Sequence, residues 1–442
     1  MARLKPLTTV DLDAAPVARF QPLLGDDVRK QLDGTMARLA KAARGRVIWN
    51  INSTARGGGV AEMLRALVPY SRGSGIDERW LVIDGRPQFF DVTKRLHTLL
   101  HGVRHDGEGL DERDRREYED ATERNAEALA GMVRPRDVVI LQDPQTAGLA
   151  APLRALGAHV VWRSHIGVDQ PNDVVREAWA FMVPYVRSAD AVVFSRPAYI
   201  WEGLEGMRVA IIPPCIDPFA PKNRDLGDRE VDAILEGASL PHSARTVLQV
   251  SRWDRLKDPV GVIDAFTEHI APRTDATLML AGPAVTSIAD DPEQPEVLGE
   301  VVKRVGALPE SLRERIVIAQ LPMDDIEQNA LMVNCLQRRA EVVVQKSLAE
   351  GFGLTVAEAM WKRRPVVASR VGGIGDQIEH GKSGLLVDDP RDLRGFGDAV
   401  TGLLADPGKA AALGAEGRRR VARDFITPCH LVLQGNLLLD LL

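Results

Sequence analysis

Two glutamates on either side of a glycine-rich segment have a spacing that suggests chemistry. Glu350 and Glu358 enclose the seven residues Gly351-Phe352-Gly353-Leu354-Thr355-Val356-Ala357. The apolar run Val342-Val343-Val344 precedes this segment and a helical stretch follows it, so the pattern predicts a strand, a glycine turn and a helix. The first N–H groups of such a helix have no acceptor within it and favour an anion, which predicts a phosphorylated ligand.

The two carboxylates would have different roles in this unit. Glu358 falls about one turn inside the helix, where it could accept a hydrogen bond from a ribose hydroxyl. Glu350 stands before the turn, at the mouth of the pocket. The alternative is a glycine turn that caps a buried helix, but such a cap needs one glycine and no glutamate in front of it. The residues expected to line the ligand are Gly351, Phe352, Gly353, Leu354 and Thr355.

A second candidate loop follows the apolar run Thr246-Val247-Leu248-Gln249-Val250. It carries Arg252 and Lys257, two cations five residues apart at the carboxyl end of a predicted strand. Both could reach one diphosphate, Arg252 through its planar guanidinium and Lys257 as a point charge. The alternative for this loop alone is a solvated segment in which the cations pair with Asp254 or Asp258.

Three successive glycines, Gly57, Gly58 and Gly59, follow the predicted strand that ends near Asn52. Glycines between a strand and a helix let the backbone approach a ligand closely. The segment has neither the Lys and Ser or Thr of a nucleotide-triphosphate loop nor the spaced glycines of a dinucleotide site. The remaining alternative is a tight turn without a ligand.

Polar residues also follow two other predicted strands. Asp143 comes directly after the strand Val138 to Leu141 and Gln142, and His165 follows the strand that contains Trp162. Asp143 could bind sugar hydroxyls or help to accept a proton from an attacking hydroxyl. The alternatives are a turn-forming aspartate before Pro144 and a histidine with a structural role.

Length and composition indicate two domains and exclude several classes of protein. A chain of 442 residues exceeds the size of one growing hydrophobic core, and 45% hydrophobic residues suffice for two. A net charge of −6 argues against a general nucleic-acid or membrane-surface binder. The three cysteines have no paired spacing, which suggests neither a disulfide framework nor a zinc site and fits a reducing cytoplasm. Neither an export signal nor a membrane span is visible.

The apolar runs predict two parallel α/β domains. Helical segments separate most of these runs, as expected for strands that are buried on both faces of a parallel sheet. The first series runs from Val47 to Ile212 and the second from Thr246 to Val387. A proline-rich stretch, Pro213 to Pro221, separates them, so we expect domains at 1–220 and 221–442, with a last helix over 431–442 that could cross back to the first domain. In open α/β sheets ligands bind at the carboxyl ends of the strands, which predicts a cleft between the domains.

Together these motifs resemble the retaining, nucleotide-sugar-dependent glycosyltransferases of the GT-B fold. The resemblance rests on the Glu350 to Glu358 segment and on the Arg252 and Lys257 loop. It implies two Rossmann-like, doubly wound domains that face an interdomain cleft, with the acceptor on the first domain and the nucleotide-sugar donor on the second. It also implies that Arg252 and Lys257 hold the leaving diphosphate, and that His165 contacts the donor sugar near the reacting carbon.

Several further strings go beyond the general superfamily and include Asn52-Ser53-Thr54, Phe89-Phe90-Asp91-Val92-Thr93-Lys94, Gln142-Asp143-Pro144-Gln145 and Gln345-Lys346-Ser347. Together they resemble the trehalose glycosyltransferring synthases and the related retaining trehalose phosphorylases. The chain departs from the wider superfamily at Thr355, where many members have proline, and at Gly375-Asp376, where a bulkier pair is expected.

The implied reaction joins glucose from a nucleotide diphosphate glucose to glucose, gives α,α-trehalose with retention, and could run in reverse. It requires no metal, although magnesium could still help, and by resemblance a homodimer is plausible. A retaining trehalose phosphorylase would use the same residues with inorganic phosphate, although the chain is shorter than the fungal phosphorylases. A catalytically silent nucleotide-sugar-binding protein would be expected to lose some of Arg252, Lys257, Glu350 and His165, and all four are present. A nicotinamide-dependent oxidoreductase lacks support, because the spaced glycines are missing.

Overall fold

Short apolar runs form the strands of two separate sheets. The structure is a computed structural model that describes residues 7–55, 58–104, 109–241, 245–285 and 293–442. The chain divides into unit 1, which runs to Cys215 and also includes Thr427–Leu442, and unit 2, which comprises Ile216–Ile426. Within the described ranges, no helix is long and apolar enough to cross a membrane.

Unit 1 contains a seven-stranded sheet in the order β1-β3-β2-β4-β5-β6-β7. Its strands are β1 (Thr8–Val10), β2 (Ile48–Asn52), β3 (Glu78–Val82), β4 (Val138–Gln142), β5 (His159–Arg163), β6 (Ala191–Phe194) and β7 (Arg208–Ile211). All neighbouring strands are parallel except β1, which pairs with β3 in the antiparallel direction. The helices that connect them are α1 (Asp26–Ala42), α2 (Gly58–Gly73), α3 (Pro87–Leu100), α4 (Glu112–Ala130), α5 (Ala150–Ala155) and α6 (Asp173–Val186).

Unit 2 contains a six-stranded, fully parallel sheet in the order β10-β9-β8-β11-β12-β13. Its strands are β8 (Thr246–Val250), β9 (Thr277–Pro283), β10 (Ile316–Leu321), β11 (Val342–Gln345), β12 (Val366–Ser369) and β13 (Leu385–Val387). Its helices are α7 (Asp228–Gly237), α8 (Pro259–Ala265), α9 (Glu293–Gly306), α10 (Glu310–Arg313), α11 (Ile326–Arg339), α12 (Leu354–Trp361), α13 (Ile374–Gln377), α14 (Leu393–Ala405) and α15 (Pro407–Asp424).

The hydrophobic cores explain why these runs form central strands. All residues of β2, β4, β8 and β11 are buried, as required when helices cover both faces of a parallel sheet. Each unit has its own large core cluster. The predicted fold class of two α/β domains, each built on a mostly parallel sheet, is confirmed.

The last helix, α16 (Thr427–Leu441), belongs to unit 1. It packs against α1, and the contact is close because a Cβ at Gly435 would lie 2.7 Å from the Thr35 Cγ2. His430 of α16 is buried, and its Nε2 lies 2.8 Å from an Arg163 guanidinium nitrogen at the end of β5. The carboxyl end of the chain therefore buttresses a strand end that precedes one of the candidate site residues, His165.

Candidate active site

The glycine segment of unit 2 forms a sharp turn between β11 and α12. Gly353 is the N-cap of α12 with φ 83° and ψ 67°, a left-handed conformation that disfavours a side chain. The Gln377 side-chain amide donates to the carbonyls of Phe352 and Gly353, and the Gly373 N–H donates to the Gly351 carbonyl at 3.2 Å. The turn is therefore held through its carbonyls. The Val356 N–H donates to the Gly353 carbonyl at 3.0 Å, so the N–H groups that the helix start cannot pair internally are those of Leu354 and Thr355.

Glu350 and Lys257 are brought together from two different loops. The Lys257 Nζ donates to the Glu350 Oε2 at 2.6 Å, and both side chains are mostly buried. The Ser347 Oγ lies 3.4 Å from the same carboxylate oxygen and accepts from the Gln345 Nε2 at 2.9 Å. The carboxylate before the glycine turn is thus fixed by a cation and a hydroxyl.

The loop after β8 holds Lys257 through its backbone. The Gln249 Nε2 donates to the Lys257 carbonyl at 2.8 Å, and the next residue, Asp258, has a left-handed φ of 49°. The buried Lys346 ammonium donates to the Asp258 carboxylate, which also accepts from the Gly261 N–H at 3.1 Å. Two lysine–carboxylate pairs, Lys257 with Glu350 and Lys346 with Asp258, therefore tie the β8 and β11 loops to each other.

Arg252 lies on the same loop and remains accessible. Its guanidinium donates to the Asp254 Oδ2 at 3.0 Å, and 53% of its side chain is exposed. Of the two ion pairs that the solvated-loop alternative offers, the Arg252–Asp254 pair is present. Lys257 pairs with Glu350 instead of Asp258.

Glu358 lies inside α12 and is buried. The Lys222 Nζ lies 3.7 Å from its Oε1. The Lys362 ammonium donates to the Glu358 carbonyl at 3.2 Å and to the Asn223 Oδ1 at 3.1 Å, and burial lowers the pKa of Lys362 to about 7. Thr355, in the first turn of α12, donates to the Gln345 Oε1 at 3.2 Å and so links the helix start to β11.

The triple-glycine segment of unit 1 is described only in part. Gly57 lies outside the described residues. Gly58 begins α2 with φ 78°, and a Cβ built on it would meet no atom within 4 Å, so its backbone angle, not packing, favours glycine there. Gly59 is in the first turn of the same helix.

Asp143 and His165 lie against each other at the carboxyl ends of β4 and β5. The His165 backbone N–H donates to the Asp143 Oδ1 at 2.7 Å, and the His165 Nε2 lies 2.8 Å from the Gln142 Oε1. Asp143 has φ 60° and ψ 178°, a region that residues other than glycine rarely adopt and that clusters at functional sites. Burial raises the pKa of Asp143 to about 7, and burial with the nearby Arg163 charge lowers the pKa of His165 well below its ordinary value.

Several residues of these sites could not be assigned from the sequence. Lys346 occurred only within a family-like string, and Gln377 and Lys222 had no visible signal because their partners are distant along the chain. At Lys346 the sequence offers one hint of a buried ion pair, because a lysine follows the apolar run Val342 to Val344 after a single residue.

Gly353→Ala tests whether the glycine turn contributes to activity in addition to requiring a left-handed backbone angle. A left-handed alanine costs about 1–2 kcal/mol, and its Cβ would lie 3.2 Å from the Glu350 Cγ and the Ile374 Cγ1. Gly381→Ala is the matched control, because Gly381 has φ 78° with no atom within 4 Å of its Cβ position. Urea unfolding should show a similar loss of stability in both variants, whereas only Gly353→Ala should lose activity, by about tenfold or more. Equal activity of the two variants would contradict a role for the turn.

Asp143→Asn is expected to change how stability depends on pH. The asparagine oxygen can still accept from the His165 N–H, but it cannot ionise. Because the folded pKa of Asp143 is raised to about 7, its ionisation opposes folding: stability falls as pH rises from about 4 to about 7 and is then constant. The unfolding free energy of the variant relative to the original chain should therefore be higher at pH 8 than at pH 5. Urea titrations that give the same difference at both pH values would contradict the raised pKa.

Two family models match the two halves of the chain. Residues 50–201 match the trehalose synthase N-terminal domain, and residues 232–420 match the glycosyl transferases group 1. The second match contains Arg252, Lys257, Glu350 and Glu358, and the first contains Asp143 and His165.

Curated relatives match over most of the chain. A trehalose synthase from Rubrobacter xylanophilus is 37% identical over 91% of this chain and 92% of its own length. A trehalose synthase from Pyrococcus horikoshii is 34% identical over 89% of both chains. A trehalose phosphorylase from Pleurotus pulmonarius is 29% identical over 80% of this chain but only 51% of its own length.

Solved structures show the same fold at low identity. An α,α-trehalose 6-phosphate synthase from Burkholderia multivorans superposes with a TM-score of 0.71 at 19% identity, covering 90% of this chain and 98% of its own. At that identity the likeness concerns the fold alone.

Proposed function

Since this chain belongs to the trehalose synthase family of GT-B glycosyltransferases, we propose that it makes α,α-trehalose from a nucleotide diphosphate glucose and glucose. The observation that carries the proposal is the contact of Lys257 with Glu350 beside the glycine turn of α12. It joins a cation for a diphosphate and a carboxylate for a sugar within one unit.

The diphosphate is the leaving group, and unit 2 supplies the groups that bind it. Breaking the bond between the sugar and the phosphate leaves negative charge on the diphosphate. An ammonium has three donors, so Lys257 can bind Glu350 and still donate to phosphate oxygens. Arg252 adds a planar guanidinium, and the N–H groups at the start of α12 add partial positive charge. These groups stabilise the transition state because they act where its charge develops.

The two glutamates serve the donor in different ways. Glu350 holds a hydroxyl of the donor sugar and balances the positive charge that develops on its ring. Glu358 accepts from the ribose, and the Lys222 ammonium lies 3.7 Å from its carboxylate. Gly351 through Thr355 line the diphosphate.

Unit 1 supplies the groups for the sugars. His165 contacts the donor sugar near the reacting carbon, and Asp143 binds sugar hydroxyls or helps to accept the proton of the attacking hydroxyl. A pKa of about 7 suits Asp143 to exchange a proton at neutral pH. The glycines from 57 to 59 let the backbone approach the donor phosphates and the acceptor.

The attacking hydroxyl approaches on the face from which the diphosphate departs. A bond forms between the anomeric oxygen of the acceptor and the donor carbon, and the bond from that carbon to the phosphate oxygen breaks. The hydroxyl proton ends on the departing diphosphate, and Asp143 is the side chain that can help to accept it on the way. We do not assign a covalent glutamate intermediate, since the paired-carboxylate geometry of retaining hydrolases does not apply here.

The test incubates the purified protein with trehalose and ADP, UDP or inorganic phosphate in parallel tubes. Mass spectrometry would follow sugar nucleotide, glucose 1-phosphate and free glucose. Sugar nucleotide with glucose supports the synthase and identifies its base. Glucose 1-phosphate formed only with phosphate would make the protein a phosphorylase, the alternative favoured by the Pleurotus pulmonarius match. No product in any tube would favour a silent nucleotide-sugar-binding protein.

Three further properties belong to the same proposal. The reaction needs no metal, so turnover should persist in EDTA; a loss that magnesium restores would show that the ion helps. Cys215, Cys335 and Cys429 form no disulfide with one another, which fits a reducing cytoplasm. A homodimer is proposed by resemblance, and sedimentation equilibrium would measure the mass of the assembly.

A further inference from the structure

A line of polar side chains crosses the buried sheet of unit 1 towards His165. The Asn50 Nδ2 donates to the Glu78 Oε1 at 2.6 Å, and the Gln142 Nε2 donates to the Asn50 Oδ1 at 3.3 Å. The Gln142 Oε1 then lies 2.8 Å from the His165 Nε2. Glu78, Asn50 and Gln142 are each at most 2% exposed. We call Glu78, Asn50 and Gln142 the relay.

The pairing register of the strands explains how the three relay residues and His165, on four neighbouring segments, come into contact. Glu78 pairs with Ile48, two residues before Asn50. Asn50 pairs with Ile140, two residues before Gln142, and Gln142 pairs with Arg163, two residues before His165. Each step therefore moves one strand across and two residues towards the carboxyl ends. A spacing of two keeps the side chains on one face of a sheet, so the line is built into the fold.

The hydrogen bonds of the relay have a direction. An amide donates through its nitrogen and accepts through its oxygen, so the orientation of one amide fixes the next. Glu78 accepts from the nitrogen of Asn50, which leaves the Asn50 oxygen to accept from the Gln142 nitrogen. The Gln142 oxygen then faces the His165 Nε2, and this nitrogen must carry a hydrogen for the contact to be a hydrogen bond.

We propose that Glu78, Asn50 and Gln142 are positioning residues that hold His165 as the tautomer protonated at Nε2, leaving Nδ1 to accept from a sugar hydroxyl. The use of His165 rests on the proposed function. In the described part of the chain, its Nδ1 has no hydrogen-bond partner. Buried polar side chains cost stability compared with apolar ones, so a chain of three that ends at a candidate site residue calls for a function.

The position of the hydrogen on the His165 ring depends on whether the ring is neutral or charged, because only a neutral ring has two tautomers. The charged and titratable groups around the ring are Arg163, Asp143 and His430. Burial and the Arg163 charge lower the pKa of His165, so the ring is neutral at neutral pH and one nitrogen must be chosen for the hydrogen.

The first measurement is nitrogen-15 NMR of the full chain with labelled histidine, which needs no substrate. The chain has nine histidines, and the His165 signals are identified by their loss in His165→Asn. The expected result is a neutral ring with its hydrogen on Nε2. A hydrogen on Nδ1 in the unaltered protein would overturn the proposal, whatever the protein catalyses.

The second measurement uses a residue that does not contact His165. Asn50→Leu should convert the single tautomer to a mixture and lower kcat about tenfold, while the KM for the nucleotide sugar changes less than twofold. Glu78→Gln keeps an oxygen that can accept from Asn50 and should preserve the tautomer. The matched control is Asn125→Leu, which removes a buried amide bonded to the Asp84 and Ala121 carbonyls, outside the relay. An unchanged tautomer in Asn50→Leu would overturn the proposal.

Two replacements of Gln142 test whether its side-chain oxygen acts as the acceptor for His165 or whether the side chain only fills space. Gln142→Glu places a carboxylate oxygen where the amide oxygen accepts, which favours the doubly protonated ring and should move the His165 titration to higher pH against Arg163 and His430. Gln142→Met has no such oxygen and should show no upward move. Equal titration of the two variants would overturn the proposal. If the NMR results hold but no trehalose chemistry is found, the relay stands and the proposed function fails.

Discussion

Glu350→Gln is expected to keep the fold and to lower kcat for trehalose formation by about 10²- to 10³-fold. The carboxylate accepts from the Lys257 Nζ at 2.6 Å and sits beside the glycine turn that begins α12. The amide has nearly the same shape but no charge, so it cannot balance positive charge on the donor ring and holds the lysine ammonium only through a neutral hydrogen bond. The measurement is steady-state kinetics with the sugar nucleotide identified in the product assay, alongside circular dichroism of both proteins.

The matched control for this variant is Glu341→Gln. Glu341 stands just before β11, at the end opposite the turn, and its Oε2 lies 3.5 Å from the Arg245 Nε. Loss of that pair should leave kcat unchanged. Lys257→Met completes a double-mutant cycle, in which the two losses should combine to much less than their product because the residues act as a pair. A Glu350→Gln variant with near-normal kcat would remove the role assigned to this carboxylate.

The local architecture of the site could be predicted from sequence because it depends on short-range rules. The strand predicted over Val342 to Val344 is observed as β11, and the predicted helix, α12, begins directly after the glycine turn. Gly353 has the left-handed angle for which glycine is the preferred residue. The antiparallel edge strand β1 had no comparable signal, since three residues are too few for a periodic pattern.

The pairing of side chains from distant loops could not be predicted in the same way. Sequence spacing offered Asp254 and Asp258 as partners for Arg252 and Lys257, and of these pairs the one between Arg252 and Asp254 is present, whereas Lys257 pairs with Glu350. Lys257 and Glu350 are 93 positions apart, and their contact depends on β8 and β11 being neighbours in the sheet. The relay to His165 depends likewise on strand order and register, which one sequence does not determine.

Arg252→Ala is expected to leave stability almost unchanged while turnover falls by about 10²-fold or more. The Arg252 side chain is 53% exposed, and its ion pair to the Asp254 Oδ2 at 3.0 Å is of the surface kind that contributes about 0–1 kcal/mol. Because the side chain is half exposed, its removal should cost the folded state little, whereas the proposed reaction uses it as a second cation beside Lys257 for the departing diphosphate. Thermal unfolding and kcat, measured on one preparation, compare the two effects.

Comparing the alanine variants of Arg252 and Arg255 distinguishes a loop that binds a diphosphate from a solvated loop. Arg255 lies on the same loop, is 46% exposed and contacts Glu293, Glu296 and Glu300 within 3.5 Å. Because its partners are all carboxylates of unit 2, Arg255→Ala should cost some stability and leave turnover intact, the reverse of Arg252→Ala. Arg252→Lys should fall between the two, since an ammonium keeps the charge but not the planar guanidinium that binds two oxygens at once. If Arg252→Ala and Arg255→Ala behave alike, Arg252 has a structural role in the loop, and the leaving diphosphate must be held by Lys257 and the start of α12.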